Sequence, residues 1–121
     1  MPLNDACLNI GGEAMRVAIT HLSLHTALPD ATGSNPATSA RQAAGWGATA
    51  AGGDFSTTNR AFTGGTPGGN CTHVGFWSAA GSGSPPAGGT FYGYQALTGD
   101  TTFNSAGEYT ITSLLVQGTS P

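Results

Sequence analysis

With 121 residues, the chain has the length of one domain. Only 7% of its residues are charged, the net charge is −3, and its three Arg lie far apart without any Lys, which excludes the clustered positive charge typical of nucleic-acid binding. No apolar run approaches a membrane-spanning length, and the N-terminus lacks the basic segment of a signal peptide, so neither a membrane partner nor secretion is expected.

The apolar core expected from the composition is small. Leu, Ile, Val and Phe together account for about 16% of the residues, a content that indicates disorder only when it is combined with a high net charge. The chain is therefore expected to fold, with little stability to spare. Such a domain gains by burying surface against copies of itself or a partner, which favours an assembly component over a free enzyme.

The first predicted element is a helix over residues 3–17, capped by Asn4 or Asp5. Residues spaced three and four apart give it one apolar face. The residues of this face are Leu3, Cys7, Ile10, Ala14 and Val17. Gly11 and Gly12 each cost the helix about 1 kcal/mol relative to Ala, so it needs packing, either as a lid on one end of a sheet or as an arm docked on a neighbouring subunit.

Short runs with alternating apolar residues predict strands in the rest of the chain. These strands are expected at residues 19–26, 40–47, 57–63, 71–79, 90–97 and 107–116, with a flexible link at 49–54. In the last strand the alternation breaks at Leu114, which predicts a β-bulge near Thr112 and Ser113.

Together these elements predict one structural domain over residues 1–121, with the helix at 3–17 and a β domain at 18–118. The fold class is mainly β, a small antiparallel β-sandwich or barrel with a short N-terminal helix.

Three histidines are the only candidates for a metal site. His21 and His25 are spaced as HxxxH, and His73 lies on another predicted strand. Four residues of strand separate two side chains by about 13 Å, whereas zinc ligands converge to about 2 Å from the metal. Hydrogen-bonded sheet histidines are therefore the favoured interpretation, with one His from each copy of a threefold assembly as the alternative.

The sequence contains no local catalytic motif. Its six carboxylates are scattered, no G-x-S-x-G elbow occurs, and the Gly-rich runs lack the GK[ST] of a phosphate loop. Accordingly, no catalytic residue, cofactor or metal is predicted. Cys7 and Cys71 are expected to be reduced thiols, and the Asn70-Cys71-Thr72 sequon is attributed to chance.

Aromatic residues are the remaining candidates for a binding site. Trp46, Tyr92 and Trp77 are predicted to contact a partner subunit or a glycan, since aromatic faces stack on sugars. The competing interpretation places these rings in the core, because so few Leu, Ile and Val residues are available to fill it.

Three segments in order resemble those of short tailed-bacteriophage virion proteins, a family labelled head-decoration, minor tail or tail fibre proteins. The first segment is Leu24-His25-Thr26 with Pro29 and Gly33, and the second is Ala40-Arg41-Gln42 with Trp46. The third is Thr72-His73-Val74-Gly75-Phe76-Trp77, which Phe91-Tyr92-Gly93 follows. The resemblance implies a virion protein assembled in the host cytoplasm, without catalytic residues.

The leading hypothesis is a non-enzymatic capsid decoration protein that stabilises the head by docking on the major capsid protein and on copies of itself, with trimers compatible with local threefold symmetry. The alternative is a tail-tip or tail-fibre protein that binds a host surface glycan through loops 27–39, 64–70 and 81–89, together with Trp46 or Tyr92. A carbohydrate-active enzyme domain ranks last.

Overall fold

The computed structural model describes residues 4–47 and 51–117. One α-helix, α1, is followed by six strands, β1 to β6, with a short 3₁₀ turn at Ala51–Gly53 before β3. The bounds are α1 Asp5–Ala18, β1 His21–His25, β2 Gln42–Ala43, β3 Phe55–Phe62, β4 His73–Trp77, β5 Phe91–Ala96 and β6 Tyr109–Val116. The predicted fold class, mainly β with a short N-terminal helix, is confirmed.

The six strands form two antiparallel sheets. The larger sheet has the order β2-β1-β4-β5, and the smaller one pairs β3 with β6. Leu22 and Leu24 pair with Phe76 and Val74 across β1 and β4. Their side chains belong to the core that the two sheets share, to which the smaller sheet contributes residues such as Phe55. This core also takes in half-buried aromatic rings, as a chain poor in aliphatic residues requires.

The predicted alternation in β1 is present, but both of its faces are covered. Leu22 and Leu24 lie in the core, while Ser23 and His25 on the other face are also buried. The loop after β1 crosses that second face, where a Cβ on Gly33 would come within 2.7 Å of the Trp77 ring. Burial on both sides makes β1 and β4 the central strands, and the loop acts as a third layer.

Two predicted strands differ from the observed ones. The predicted strand at 40–47 shrinks to the two residues of β2, because the Arg41 side chain turns toward a neighbouring loop and Gly45 adopts a left-handed φ of 61°. Conversely, the weak strand predicted at 57–63 is eight residues long, since β6 pairs with it from Phe55 to Phe62, skipping only Asn59.

The predicted break in alternation near Thr112 and Ser113 is present, but the predicted β-bulge is wrong. Ile111 and Leu114 are both buried, yet β3 and β6 keep the same register on both sides of Asn59 and Thr112, where the pairing skips one position on each strand. Asn59, in register with Thr112, has a φ of 52°, a conformation that Asn tolerates better than most residues. At this position the side of the strand that faces the core changes on both strands, and neither strand contains an extra residue.

The helix is capped by Asn4, whose Oδ1 accepts a hydrogen bond from the Cys7 amide at 3.0 Å. Of the two alternatives for its apolar face, the lid on one end of a sheet is wrong, because Cys7 is exposed and Ile10 and Val17 are 73% and 64% exposed. Leu3 lies outside the described residues. The helix docks instead through Gly12, which is buried, since the missing side chain lets its backbone approach that of Gly53.

No helix in the described ranges combines the length and the hydropathy needed to span a membrane.

Candidate functional site

Trp77, a predicted contact residue, is only 7% exposed and holds two layers together. Its indole Nε1 donates a hydrogen bond to Ser23 Oγ at 2.7 Å. The Arg41 guanidinium lies 3.6 Å from the centre of the Trp77 ring, and Phe91 packs at 5.0 Å between ring centroids. Trp77 therefore has an internal cation–π and hydrogen-bonding role within the domain.

Trp46 also packs into the domain. It is half-buried, meets Phe55 edge-on at a centroid distance of 4.8 Å, and donates from Nε1 to the Ile19 carbonyl at 2.8 Å. A buried indole N–H normally needs such a partner. Trp46 thus joins the helix end, the core and β3, which matches the competing interpretation that these rings fill the core.

Tyr92 is the predicted contact residue that lies on the surface, with 50% of its area exposed. The register between β4 and β5 shifts at this point, because Trp77 pairs with Phe91 and Phe76 with Gly93. Tyr92 is therefore the extra residue of a β-bulge, and bulges commonly redirect a side chain.

A groove of about 470 Å³ lies beside Tyr92, between β5 and the helix; we call it the tyrosine groove. Tyr92, Gly93 and Tyr94 line it from the strand, and Met15 and Ala18 line it from α1. Tyr94 and Met15 are also exposed. The aromatic residues were visible in the sequence, whereas the helical wall was not, because the sequence pattern assigned Met15 to no face.

Ser23 and His25 form a buried hydrogen-bonded pair. The His25 Nδ1 lies 2.8 Å from the Ser34 carbonyl, which can only accept, so Nδ1 carries the proton. Ser23 then donates to His25 Nε2 at 2.6 Å and accepts from Trp77. The pair has the spacing of a nucleophile and its base, but both residues are buried and Gly75 packs against them. The prediction of a hydrogen-bonded sheet histidine is confirmed for His25.

We expect His25 to make the protein acid-sensitive. Burial lowers the pKa of His25, and the charges of His73 and Arg41 lower it further against an opposing hydrogen bond to Ser34. The unfolded chain therefore takes up a proton near pH 6.5 while the folded chain does not. Stability should be constant above that pH and fall by up to about 1.4 kcal/mol per pH unit below it, until the folded pKa is reached.

The measurement is the free energy of urea unfolding between about pH 7.5 and pH 5 for the wild type and His25→Gln. The variant should be less stable at neutral pH but should show a flatter profile below pH 6.5. Gln42→Asn, a change at a residue of the neighbouring strand β2 that does not titrate, serves as the control and should keep the wild-type slope. Parallel profiles for the wild type and His25→Gln would contradict the assignment.

The three histidines do not converge on one point. His25 lies opposite His73 in the register of β1 and β4, whereas His21 pairs with Trp77 at the other end of the strand. Within residues 4–47 and 51–117, no three His, Cys, Asp or Glu side chains are grouped so as to hold a metal ion.

Arg41 fixes the loop that connects β4 and β5. Its Nη1 donates to the carbonyls of Ala79 and Gly88 at 2.9 and 2.8 Å, and a longer contact of 3.5 Å joins Nη2 to Pro86. All these acceptors are main-chain oxygens. Arg41 is buried, and its role was missed because no sequence pattern relates it to residues that follow some forty positions later.

The three loops proposed from the sequence for a receptor site, 27–39, 64–70 and 81–89, lie together; we call them the loop cluster. Thr38 connects them, since its Oγ1 donates to the Gly64 carbonyl at 2.8 Å and its own carbonyl accepts from Ser84 Oγ at 3.2 Å. The loop cluster therefore forms a continuous surface of the domain.

Several carboxylates have structural roles in turns and in the helix. Asp30 Oδ1 accepts from the Thr32 amide and hydroxyl at 2.8 and 2.6 Å, and these hydrogen bonds lower the pKa of Asp30. Asp100 makes the same contacts with Thr102. On the helix, Glu13 pairs with Arg16, whose hydrogen bond lowers the pKa of the Glu13 carboxyl.

The two cysteines are free, Cys7 exposed and Cys71 buried. Burial, with a contribution from the negative charge of Asp100, raises the pKa of Cys71 to about 11. A thiol with that pKa stays protonated at neutral pH and is a poor nucleophile.

Comparison with known protein families identifies the class of the protein, a structural protein of a bacteriophage. A family model described as Podophage GP4 fiber I protein gp80 matches residues 4–119. The chain belongs to this family. No curated protein and no solved structure matches it.

Proposed function

We propose that the protein is a component of a fibre in the virion of a podophage. The observation that carries the proposal is the family match, which covers residues 4–119 and describes a fibre protein. That description favours the fibre alternative over capsid decoration, which had been the leading hypothesis from sequence. The fold is compatible with a structural role, because buried polar groups such as Ser23 and His25 form hydrogen bonds inside the domain.

The number of copies per virion tests this proposal. Quantitative mass spectrometry of purified particles should give a small number of copies relative to the major capsid protein, and antibody labelling should mark the tail end of the particle. Copy numbers close to those of the major capsid protein, with label over the head, would refute the fibre proposal and support decoration. Absence from particles would refute both.

A second proposed function, host glycan binding, is supported by the tyrosine groove. Two exposed phenol rings, Tyr92 and Tyr94, border a concave surface of about 470 Å³. A sugar ring can pack its C–H face on such rings while the phenol hydroxyls remain available for hydrogen bonds. Among residues 4–47 and 51–117, those that line the groove are uncharged, so a neutral glycan would be preferred.

We expect Tyr92→Ala and Tyr94→Ala each to weaken binding to host surface polysaccharide about tenfold, the equivalent of roughly 1.4 kcal/mol of lost stacking. Isothermal titration calorimetry with polysaccharide extracted from host cells provides the measurement. Leu115→Ala is the matched control, because Leu115 is exposed and apolar, lies outside the groove and belongs to none of the three loops of the loop cluster. Equal binding by all three variants would remove the groove as the glycan site.

A further inference from the structure

The floor of the tyrosine groove is formed by apolar side chains. Phe76 of β4, Ile19 at the end of the helix and Val116 of β6 line it. Phe76 and Ile19 are only 7% and 6% exposed and belong to the core, against which Val116 packs. A ligand that enters the groove to this depth therefore contacts carbon atoms of the core.

The walls of the groove add few polar groups. The helical wall is formed by Met15 and two alanines, none of which carries a hydroxyl, an amide or a charge in its side chain. On the strand side, Gly93 has no side chain, while Tyr92 and Tyr94 carry one hydroxyl each. Among the residues of the described ranges that line the groove, these two phenol hydroxyls are therefore the only side-chain groups that form strong hydrogen bonds.

This lining restricts the sugars that the groove can bind. A hexose carries a hydroxyl on most of its carbons, and each hydroxyl that is buried without a hydrogen-bond partner costs free energy. A methyl group in the same place gains free energy, because apolar surface is removed from water. The groove therefore suits a sugar that turns a methyl group toward the floor and its hydroxyls toward the tyrosines and the solvent.

We propose that the tyrosine groove binds a neutral sugar residue that carries a methyl group, of the kind present in 6-deoxyhexoses and in N-acetylhexosamines. This inference rests on the glycan-binding function proposed above and names the class of sugar that the groove takes. The methyl group packs against Phe76 and Val116, and the sugar ring packs against Tyr92 or Tyr94. A sugar acid is disfavoured, because its carboxylate would be buried without a charged partner.

Matched pairs of sugars test the role of the methyl group. L-fucose and L-galactose differ only in the hydroxyl on the exocyclic carbon, and N-acetylglucosamine differs from glucose only in the acetamido group. NMR titration of the isotope-labelled full chain measures the dissociation constants, and the Gly93 amide reports on the groove. In at least one pair, the sugar with the methyl group should bind about tenfold more tightly. The pair that shows this preference identifies which of the two sources of the methyl group the groove recognises.

Met15→Gln tests the apolar lining from the side of the protein. Gln has nearly the length and the helix propensity of Met, but its amide both donates and accepts hydrogen bonds. The preference for the methyl-bearing sugar should fall from about tenfold to about twofold, because a buried hydroxyl then finds a partner. Leu115→Gln, the same kind of change at an exposed apolar residue outside the groove, should leave the preference unchanged. Thermal unfolding monitored by circular dichroism verifies that both variants are folded.

Equal or weaker binding of the methyl-bearing sugar in both pairs overturns the proposal, and so does an unchanged preference in Met15→Gln. Shifts of the Gly93 amide that follow the protein concentration and not the added sugar would show that a second copy occupies the groove, which also overturns it. Failure of the glycan function itself gives a different result, since host polysaccharide would then bind equally to the wild type, Tyr92→Ala and Tyr94→Ala, or to none of them. If the two tyrosine variants weaken polysaccharide binding while neither sugar pair shows a preference, only the class of sugar is wrong.

Discussion

Replacing Gly12 with Ala will lower the free energy of unfolding by about 1–3 kcal/mol, and the same change at Gly11 will raise it by up to about 1 kcal/mol. A Cβ on Gly12 would overlap the backbone of Gly53, which cannot move aside as a flexible side chain would. A Cβ on Gly11 meets no atom within 4 Å, so only the helical preference of Ala over Gly remains.

Urea unfolding of the two single variants provides the measurement, at a protein concentration where the wild type is monomeric. The two changes are chemically identical and adjacent in sequence, so each is the control for the other. The loss in Gly12→Ala cannot exceed the free energy with which α1 is docked, since the helix can detach, and a faster proteolytic cleavage of the helix should accompany it. Equal effects at both positions would contradict the Gly12–Gly53 contact.

Replacing Arg41 with Lys will destabilise the protein by about 2–4 kcal/mol, although the positive charge is kept. The guanidinium spans two carbonyls, those of Ala79 and Gly88, while its plane lies over Trp77. An ammonium group cannot reproduce this planar fork, so at least one of these two carbonyls loses its donor. The tryptophan emission should also shift to longer wavelength, because the Lys side chain shields the Trp77 ring from water less completely than the guanidinium does.

Thermal unfolding followed by fluorescence measures both effects. Arg60→Lys is the matched control: Arg60 is half-buried and donates to one carbonyl, that of Thr58, within its own strand. Its replacement should change stability by no more than about 0.5 kcal/mol. If Arg41→Lys is no more damaging than Arg60→Lys, Arg41 does not hold the loop in place.

Local patterns predicted most of the β structure, because alternation and turn residues act over a few positions. The alternation of Leu22 and Leu24 placed β1 correctly, and the cluster around Val74 placed β4. The reversal at Asn59 was not predictable from β6 alone, since the break there is shared by two strands that are distant in sequence.

The orientation of the helix was missed for a related reason. The spacing of Ile10 and Val17 shows that one side is apolar, but it does not show what covers that side. The docking side is set by Gly12 and Gly53, which meet only in the folded chain. A glycine in a helix indicates a weak helix when read alone and a close contact when its partner is known.

The candidate site was predictable where exposure follows from strand position and not where it depends on a distant partner. Tyr92 was identified among the aromatic residues. Trp77 was named by the same argument, with the core as the competing interpretation, and Arg41 and the loop containing Gly33 cover it. Such coverage follows from long-range contacts that sequence spacing does not encode.

The way Arg41 binds the loop at 81–89 has a consequence for sequence variation. Its partners are main-chain carbonyls, which every amino acid supplies. Side chains on the outer surface of this loop can therefore change without loss of the bonds that fix its path. These outer positions can therefore diverge between related sequences while the backbone path beneath them stays constant.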